Sequence, residues 1–310
     1  MHVAILGAGA LGRVYGVRLA NLAKGRPDVS FVVRPSKTGE RGPFRVVRID
    51  GDHAEHTLAE PVRVAAVPAH ADVVLVCVRA EQMDEALPLL SERTGASVVL
   101  LTPLMPHEYE RVAAALGPRA RAAMPGVVAY VTDEGVTRYW LPRVAPTLID
   151  EPRPPIATVT ELIAALGASG VTTRLELGVH EMNPATTVAF IPLAMGLDAA
   201  GSIDALLADR ALLALSIRAT KEGLALSKRL GRAAGWVGML TRFVGPRMLK
   251  MGVAVGRSRS PEAVRYVEEH FGHKLRAQNA AMAAAMIELA REKGTSHAAL
   301  ESLHARLAQR

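Results

Sequence analysis

Cysteine is nearly absent: Cys77 stands alone among 310 residues. That excludes a disulfide framework and a thiolate metal cluster. Aromatic residues make up only 4% of the chain, too few for a surface on which nucleic-acid bases could stack. No apolar run reaches the roughly 18–20 residues that a bilayer-spanning helix needs. The opening MHVAILGAGALG is apolar but carries no cationic leader and no small-residue cleavage site. The ten histidines show neither H-x-x-x-H nor H-E-x-x-H spacing, and no G-x-S-x-G nucleophile turn occurs. These absences lead us to expect a cytoplasmic protein without metal, membrane or nucleic-acid partner.

What is present is aliphatic and cationic. Half the residues are hydrophobic and the formal charge is +7. A core of Ala, Leu and Val suits helices and buried parallel strands better than a β-sandwich, and the length suffices for two domains. Lys and Arg are scattered. They read either as a solvated surface or as an attraction for anions such as a phosphorylated cofactor and a carboxylate substrate.

Hydrophobic patterning divides the chain. Strands are expected at residues 2–6, 29–33, 72–78, 97–101 and, as the last, 171–175. Helices are expected from the glycine turn to 23, and at 81–90, 108–116 and 157–166. Asp50-Gly51 and Asp133-Glu134-Gly135 mark two hairpins. This alternation predicts an open parallel α/β sheet. From about residue 178 the pattern turns helical, with segments 184–200, 203–230, 234–253, 261–293 (bent near Gly272) and 296–307. We therefore expect an α/β Rossmann-type domain over 1–177 and an all-α domain over 178–310.

Gly7-Ala8-Gly9-Ala10-Leu11-Gly12 matches G-x-G-x-x-G directly after a strand and at the start of a helix, the context in which this motif binds dinucleotides. The first glycine permits the turn, the second lets backbone approach a pyrophosphate, and the third lets helix and strand pack closely. Backbone N–H groups and the helix dipole then favour phosphate. An NAD site usually places Asp or Glu after the second strand. Here Val33 is followed by Arg34, Pro35, Ser36 and Lys37. The planar fork of Arg34, with Lys37 beside it, suits a ribose 2′-phosphate, so the expected cofactor is NADP.

Together AILGAGALGRVYGVRLA, Arg34, DVVLVCVRAEQ with Arg79 and Gln82, SVVLLTPLM and TTVAFIPLAMGL resemble the ketopantoate reductase (2-dehydropantoate 2-reductase) family. The resemblance implies a Rossmann domain followed by an all-α domain that serves the substrate, and the Ala- and Leu-rich helices of that second domain could pair with a second copy. It also implies NADP-dependent reduction of a small 2-keto acid or related carbonyl, and it brings Arg79 and Gln82 to the cofactor. The chain departs from the family where chemistry is concentrated. Asn183 occupies the place of the family's catalytic lysine and Thr187 that of an asparagine one turn later, and Pro103-Leu104-Met105-Pro106 replaces Asn-Gly-Met-Gly.

Reducing a 2-keto acid needs a proton donor near the developing alkoxide and a cation for the carboxylate. Asn183 and Thr187 share a helix face and could orient a carbonyl. Asn183 before Pro184 also reads as a helix cap, and Thr187 as a packing residue. His180 reads as an acid or as a loop residue. Lys274 and His273 are the remaining cationic candidates, or else a solvated helix face. Arg79 reads as a phosphate contact or a surface residue. The partner expected is a small carboxylate, with a homodimer possible for the helical half. The other reading is a non-catalytic NADP-binding sensor that has lost the family lysine.

Overall fold

The computed structural model describes residues 1–50, 53–91, 95–142, 145–235, 237, 244–259, 261–271 and 276–308. They form two compact units, Met1–His180 and Glu181–Arg310.

The first unit is built on a sheet of eight strands in the order β12-β11-β8-β7-β6-β1-β2-β5. These are β1 His2–Leu6, β2 Asp28–Val32, β5 Val62–Val64, β6 Val73–Val76, β7 Ser97–Leu100, β8 Ala120–Met124, β11 Thr147–Asp150 and β12 Thr173–Glu176. Alternation along β1 explains its central place. Val3 and Ile5 belong to one apolar cluster with Val14, Leu19, Val159 and Leu162. Ala4 and Leu6 belong to another with Met83, Leu90, Val112 and Leu116. Period-2 side chains thus feed a core on each face. The helices concerned are α1 Ala10–Ala20 and α4 Ala157–Ala168 on one side, and α2 Met83–Ser91 and α3 Pro106–Leu116 on the other.

Three strands differ from the sequence expectation. β5, β8 and β11 are not among the expected strands, because ARAAM and TLID show no apolar alternation and VRV is short. The sheet is also not wholly parallel: β11 runs antiparallel to β8. Finally, the two hairpins do not stand apart. Hairpin β3–β4 (Phe44–Arg48, Glu55–Leu58) and hairpin β9–β10 (Val128–Val131, Thr137–Trp140) join through parallel β3–β10 pairing into a four-stranded sheet. This sheet packs on α1.

The helical unit opens within α5 (Val179–Ala200), followed by α6 Ile203–Ala208, α7 Arg210–Leu230, α8 Pro246–Arg259, α9 Pro261–Phe271, α10 Arg276–Glu292 and α11 Ala298–Ala308. The single helix expected over 203–230 is two, because Ser202 and Asp209 each supply an N-cap. Ser202 Oγ accepts from Ala205 N–H (3.1 Å), and Asp209 Oδ1 from Leu212 N–H (2.9 Å). Of the segment expected over 234–253, Gly235 and Val237 are helical and α8 begins at Pro246 among the described residues, and that expected over 261–293 is described as α9 and α10. Gly272, where the bend was expected, lies outside the described residues. On α7, Glu222 accepts from the N–H groups of Ala299 (3.2 Å) and Leu300 (2.9 Å). That places a carboxylate at the positive end of α11 and ties the last helix to the bundle.

Candidate nucleotide-binding site

Strand order fixes where a ligand fits. From β1 the chain builds outward through β2 to β5, then returns to lay β6 on the other side of β1. The carboxyl ends of β1 and β6 therefore flank a topological switch point, the crevice in which open α/β sheets take ligands. Leu6 lies level with both Val32 and Val76, and Val76 with Leu100, so the loops after these strands emerge side by side.

The three motif glycines lie at this crevice, each under a different constraint. Gly7 has φ +102°, a conformation that only glycine adopts readily, and a Cβ there would lie 3.1 Å from the Cys77 backbone. Gly12 lies against the turn itself, where a Cβ would stand 2.0 Å from the Gly7 oxygen and 2.9 Å from Ile5 Cγ2. Gly9 is the contrast: exposed, with nothing within 4 Å of a Cβ position. That open space is what a close approach of pyrophosphate to backbone requires. Gly9 begins α1 without a side-chain cap, and the first intrahelical bond runs from Arg13 N–H to Gly9 O (2.9 Å). The N–H groups of Ala10, Leu11 and Gly12 in the first turn have no helical acceptor and sit at the positive end of the dipole.

Arg34 directly follows the second-strand region and is exposed, with no side-chain partner among the described residues. Lys37 sits one short turn later and is paired with Glu40 at 3.0 Å. After β6, Arg79 is paired with Glu81 (3.2 Å), and Gln82 Oε1 accepts the Arg79 N–H (3.1 Å). Gln82 is thus engaged in shaping the loop that begins α2. Two contributors here went unread in the sequence. The buried Thr102 hydroxyl donates to Val78 O (2.7 Å), linking the loops after β6 and β7. Arg13, next to the third glycine, turns its Nε back to Ala8 O (2.9 Å).

The catalytic candidates fare differently. Asn183 is not a helix cap: α5 begins at Val179, and Asn183 lies inside it, 6% exposed. The physical reason lies 29 residues upstream. Asp150, at the end of β11, accepts the Val179 N–H (3.2 Å) and faces His180 Nδ1 (3.1 Å), so a carboxylate holds the helix start. His180 also stacks on Tyr109, with centroids 5.5 Å apart. Burial, then the neighbouring Asp150, pushes the Tyr109 hydroxyl above its ordinary range. Thr187 follows Asn183 by one turn and is half-buried. Lys274 and His273 lie outside the described residues. Among the described residues no group of three potential ligands stands ready for a metal, and no helix is long and apolar enough to cross a membrane.

The mostly parallel sheet, its switch point and the glycine turn define a Rossmann-type α/β fold with a helical second half. More particularly, residues 3–137 match the family described as ketopantoate reductase PanE/ApbA. The match spans 135 of the 310 residues. A 2-dehydropantoate 2-reductase from Geobacter metallireducens GS-15 superposes with TM-score 0.71 at 21% identity, covering 100% of this chain and 99% of its own. A PanE/ApbA family ketopantoate reductase from Ralstonia eutropha JMP134 gives 0.71 at 18%, covering 100% and 98%. D-mandelate dehydrogenase, solved with NADH, gives 0.66 at 14%, covering 100% and 98%. At these identities the likeness establishes the fold. No curated protein matches the sequence.

Proposed function

We propose that the chain is an NADP(H)-dependent reductase of a small 2-keto acid or a related carbonyl compound, with residues 1–177 binding the nucleotide and 178–310 serving substrate binding and self-association. One observation carries the cofactor reading: Gly9 leaves open space beside the first turn of α1 at the switch point, while Arg34 stands unpaired after β2 among the described residues. NADPH bound there supplies the hydride. The chain's own task is to place it. The N–H groups of Ala10, Leu11 and Gly12 hold the pyrophosphate, and Arg34 with Lys37 holds the 2′-phosphate. Arg79 and Gln82 line the next loop.

In this reading the helical half supplies the carbonyl-orienting groups. The Asn183 amide donates to the substrate oxygen and the Thr187 hydroxyl supports it, without the ammonium that the family places at Asn183. The family match favours this reductase over a non-catalytic sensor. The test is a screen of 2-keto acids for loss of NADPH absorbance, paired with Asn183→Ala. We expect turnover with at least one acid, and a drop in kcat of about ten- to a hundredfold in the variant with unchanged NADPH affinity. Nucleotide binding with no turnover across the panel would refute the reductase reading.

A further inference from the structure

We propose that Arg13 and Arg63 join Arg34 in holding the adenosine 2′-phosphate, so that the choice of NADP(H) over NAD(H) is shared by three guanidiniums from three elements. The proposal rests on the nucleotide reading above. It starts from an arrangement that neither the motif nor the family resemblance explains: two arginines gathered on one buried ring. The Arg13 guanidinium lies 4.6 Å and that of Arg63 4.4 Å from the centroid of Phe44, a side chain 4% exposed.

Neither cation is neutralised. Arg13 donates from Nε to Ala8 O (2.9 Å) and from Nη1 to Gly135 O (3.1 Å), and Arg63 from Nη2 to Gly42 O (3.0 Å). Carbonyl acceptors orient a guanidinium but leave its charge in place. No carboxylate forms an ion pair with either among the described residues. Glu40 is the acidic group that bears on Arg13, and it is paired with Lys37. Burial first, and then the nearby Arg63, makes Arg13 easier to deprotonate than an ordinary arginine. Like charges gathered and fixed in this way leave an electrostatic debt that a bound anion settles.

Position says which anion. Arg13 is the residue after Gly12, and its contact with Ala8 O holds it against the phosphate turn. Arg63 sits on β5 opposite Phe31 of β2. Val33 N–H donates to Val64 O (2.9 Å), so Arg34 leaves the sheet alongside β5. Gly42, Glu40, Lys37 and Arg34 all belong to the single stretch between β2 and β3, and Phe44 opens β3. All of these groups lie on the β2 side of the switch point, where a dinucleotide places its adenosine ribose. A phosphate dianion there meets the unused N–H donors of planar, ring-supported guanidiniums. A bare 2′-hydroxyl offers no compensating charge.

A purely structural role, latching β3 onto α1 and β5, makes a different prediction. The experiment titrates the full chain and Arg63→Gln with NADPH, NADH, adenosine 2′,5′-bisphosphate and AMP, with thermal melts alongside. We expect Arg63→Gln to weaken NADPH and the bisphosphate by about tenfold or more, and NADH and AMP by less than about twofold. Equal loss for all four ligands, or no loss for any, overturns the proposal. Should Arg63→Gln fail to fold, the wild-type salt series decides: affinity for the bisphosphate must fall more steeply with KCl than affinity for AMP carrying the same 5′-phosphate, and parallel slopes overturn it. A wild type that binds neither nucleotide defeats the underlying cofactor reading and this proposal with it. A wild type that prefers NADPH, with a ratio unmoved by Arg63→Gln, defeats this proposal alone.

Discussion

Two glycine-to-alanine substitutions, three residues apart on the same turn, should fail in different ways. At Gly12 the added methyl would stand 2.0 Å from the Gly7 oxygen and 3.2 Å from the Gly7 carbonyl carbon. Both neighbours are backbone, and Gly7 is itself held by its positive φ and by a bond from its N–H to Val32 O (3.2 Å). No flexible side chain can give way, so α1 must lift from β1. Overpacking of this kind costs about 1–3 kcal/mol, and a backbone clash puts the cost at the upper end. For a unit of this size, about 3 kcal/mol lowers Tm by roughly 6–12 °C. At Gly9 the methyl meets nothing within 4 Å and φ is −72°, an ordinary value for alanine. The apoprotein should lose less than about 1 kcal/mol, the difference between glycine and alanine at an N-cap. Nucleotide affinity should nevertheless fall by at least about tenfold, because the methyl fills the space proposed for the pyrophosphate. Differential scanning calorimetry of the two apoproteins and titration with NADPH read the two effects separately. A Gly9→Ala protein that binds NADPH like the wild type would refute the placement of the phosphates. A Gly12→Ala protein that melts like the wild type would refute the packing argument.

Other perturbations follow from single contacts. Arg34→Ala should weaken NADPH by about ten- to a hundredfold, the worth of a charge-assisted pair, while leaving NADH nearly unchanged in the same titration; equal weakening would remove Arg34 from the 2′-phosphate. Asp150→Ala should lower stability by about 1–2 kcal/mol by leaving the Val179 N–H and His180 without their carboxylate, and a denaturant midpoint unchanged from wild type would count against the cap. Burial, then the neighbouring His70, holds His2 below the usual histidine pKa. Its folded form is therefore the neutral one, and its contribution to stability is complete above the ordinary histidine pKa and lost as pH falls through the acid side. Urea midpoints of wild type and His2→Gln should converge as pH falls below the ordinary histidine pKa, and curves that stay parallel would contradict the assignment.

Legibility from sequence followed the range of the interaction. The glycine turn, β1 and α1 form one contiguous stretch whose apolar alternation and glycine spacing are local, so they could be read directly. Both hairpins were readable from their Asp-Gly and Glu-Gly turns, but their union was not. Parallel pairing of Thr137 with Val46 joins residues 91 apart and leaves no local signature. Strand β8 was hidden by Arg121 and three alanines, residues that serve an internal strand only because α3 and its neighbours cover them. The start of α5 was misread for the same reason. Asn183-Pro184 has the local form of a helix start, but Asp150 supplies the cap from another strand, and the helix carries both Pro184 and Pro192 in its interior. Arg13 and Arg63 are ordinary scattered cations in the sequence. Only the fold gathers them at Phe44.

Calorimetric titration of the purified wild-type chain with NADPH and with NADH tests the central claim most directly. The account predicts saturable one-site binding of NADPH, tighter than that of NADH, and weakened at least about tenfold when Gly9 carries a methyl group. Absence of binding by either nucleotide at millimolar concentration, or a clear preference for NADH, would contradict it.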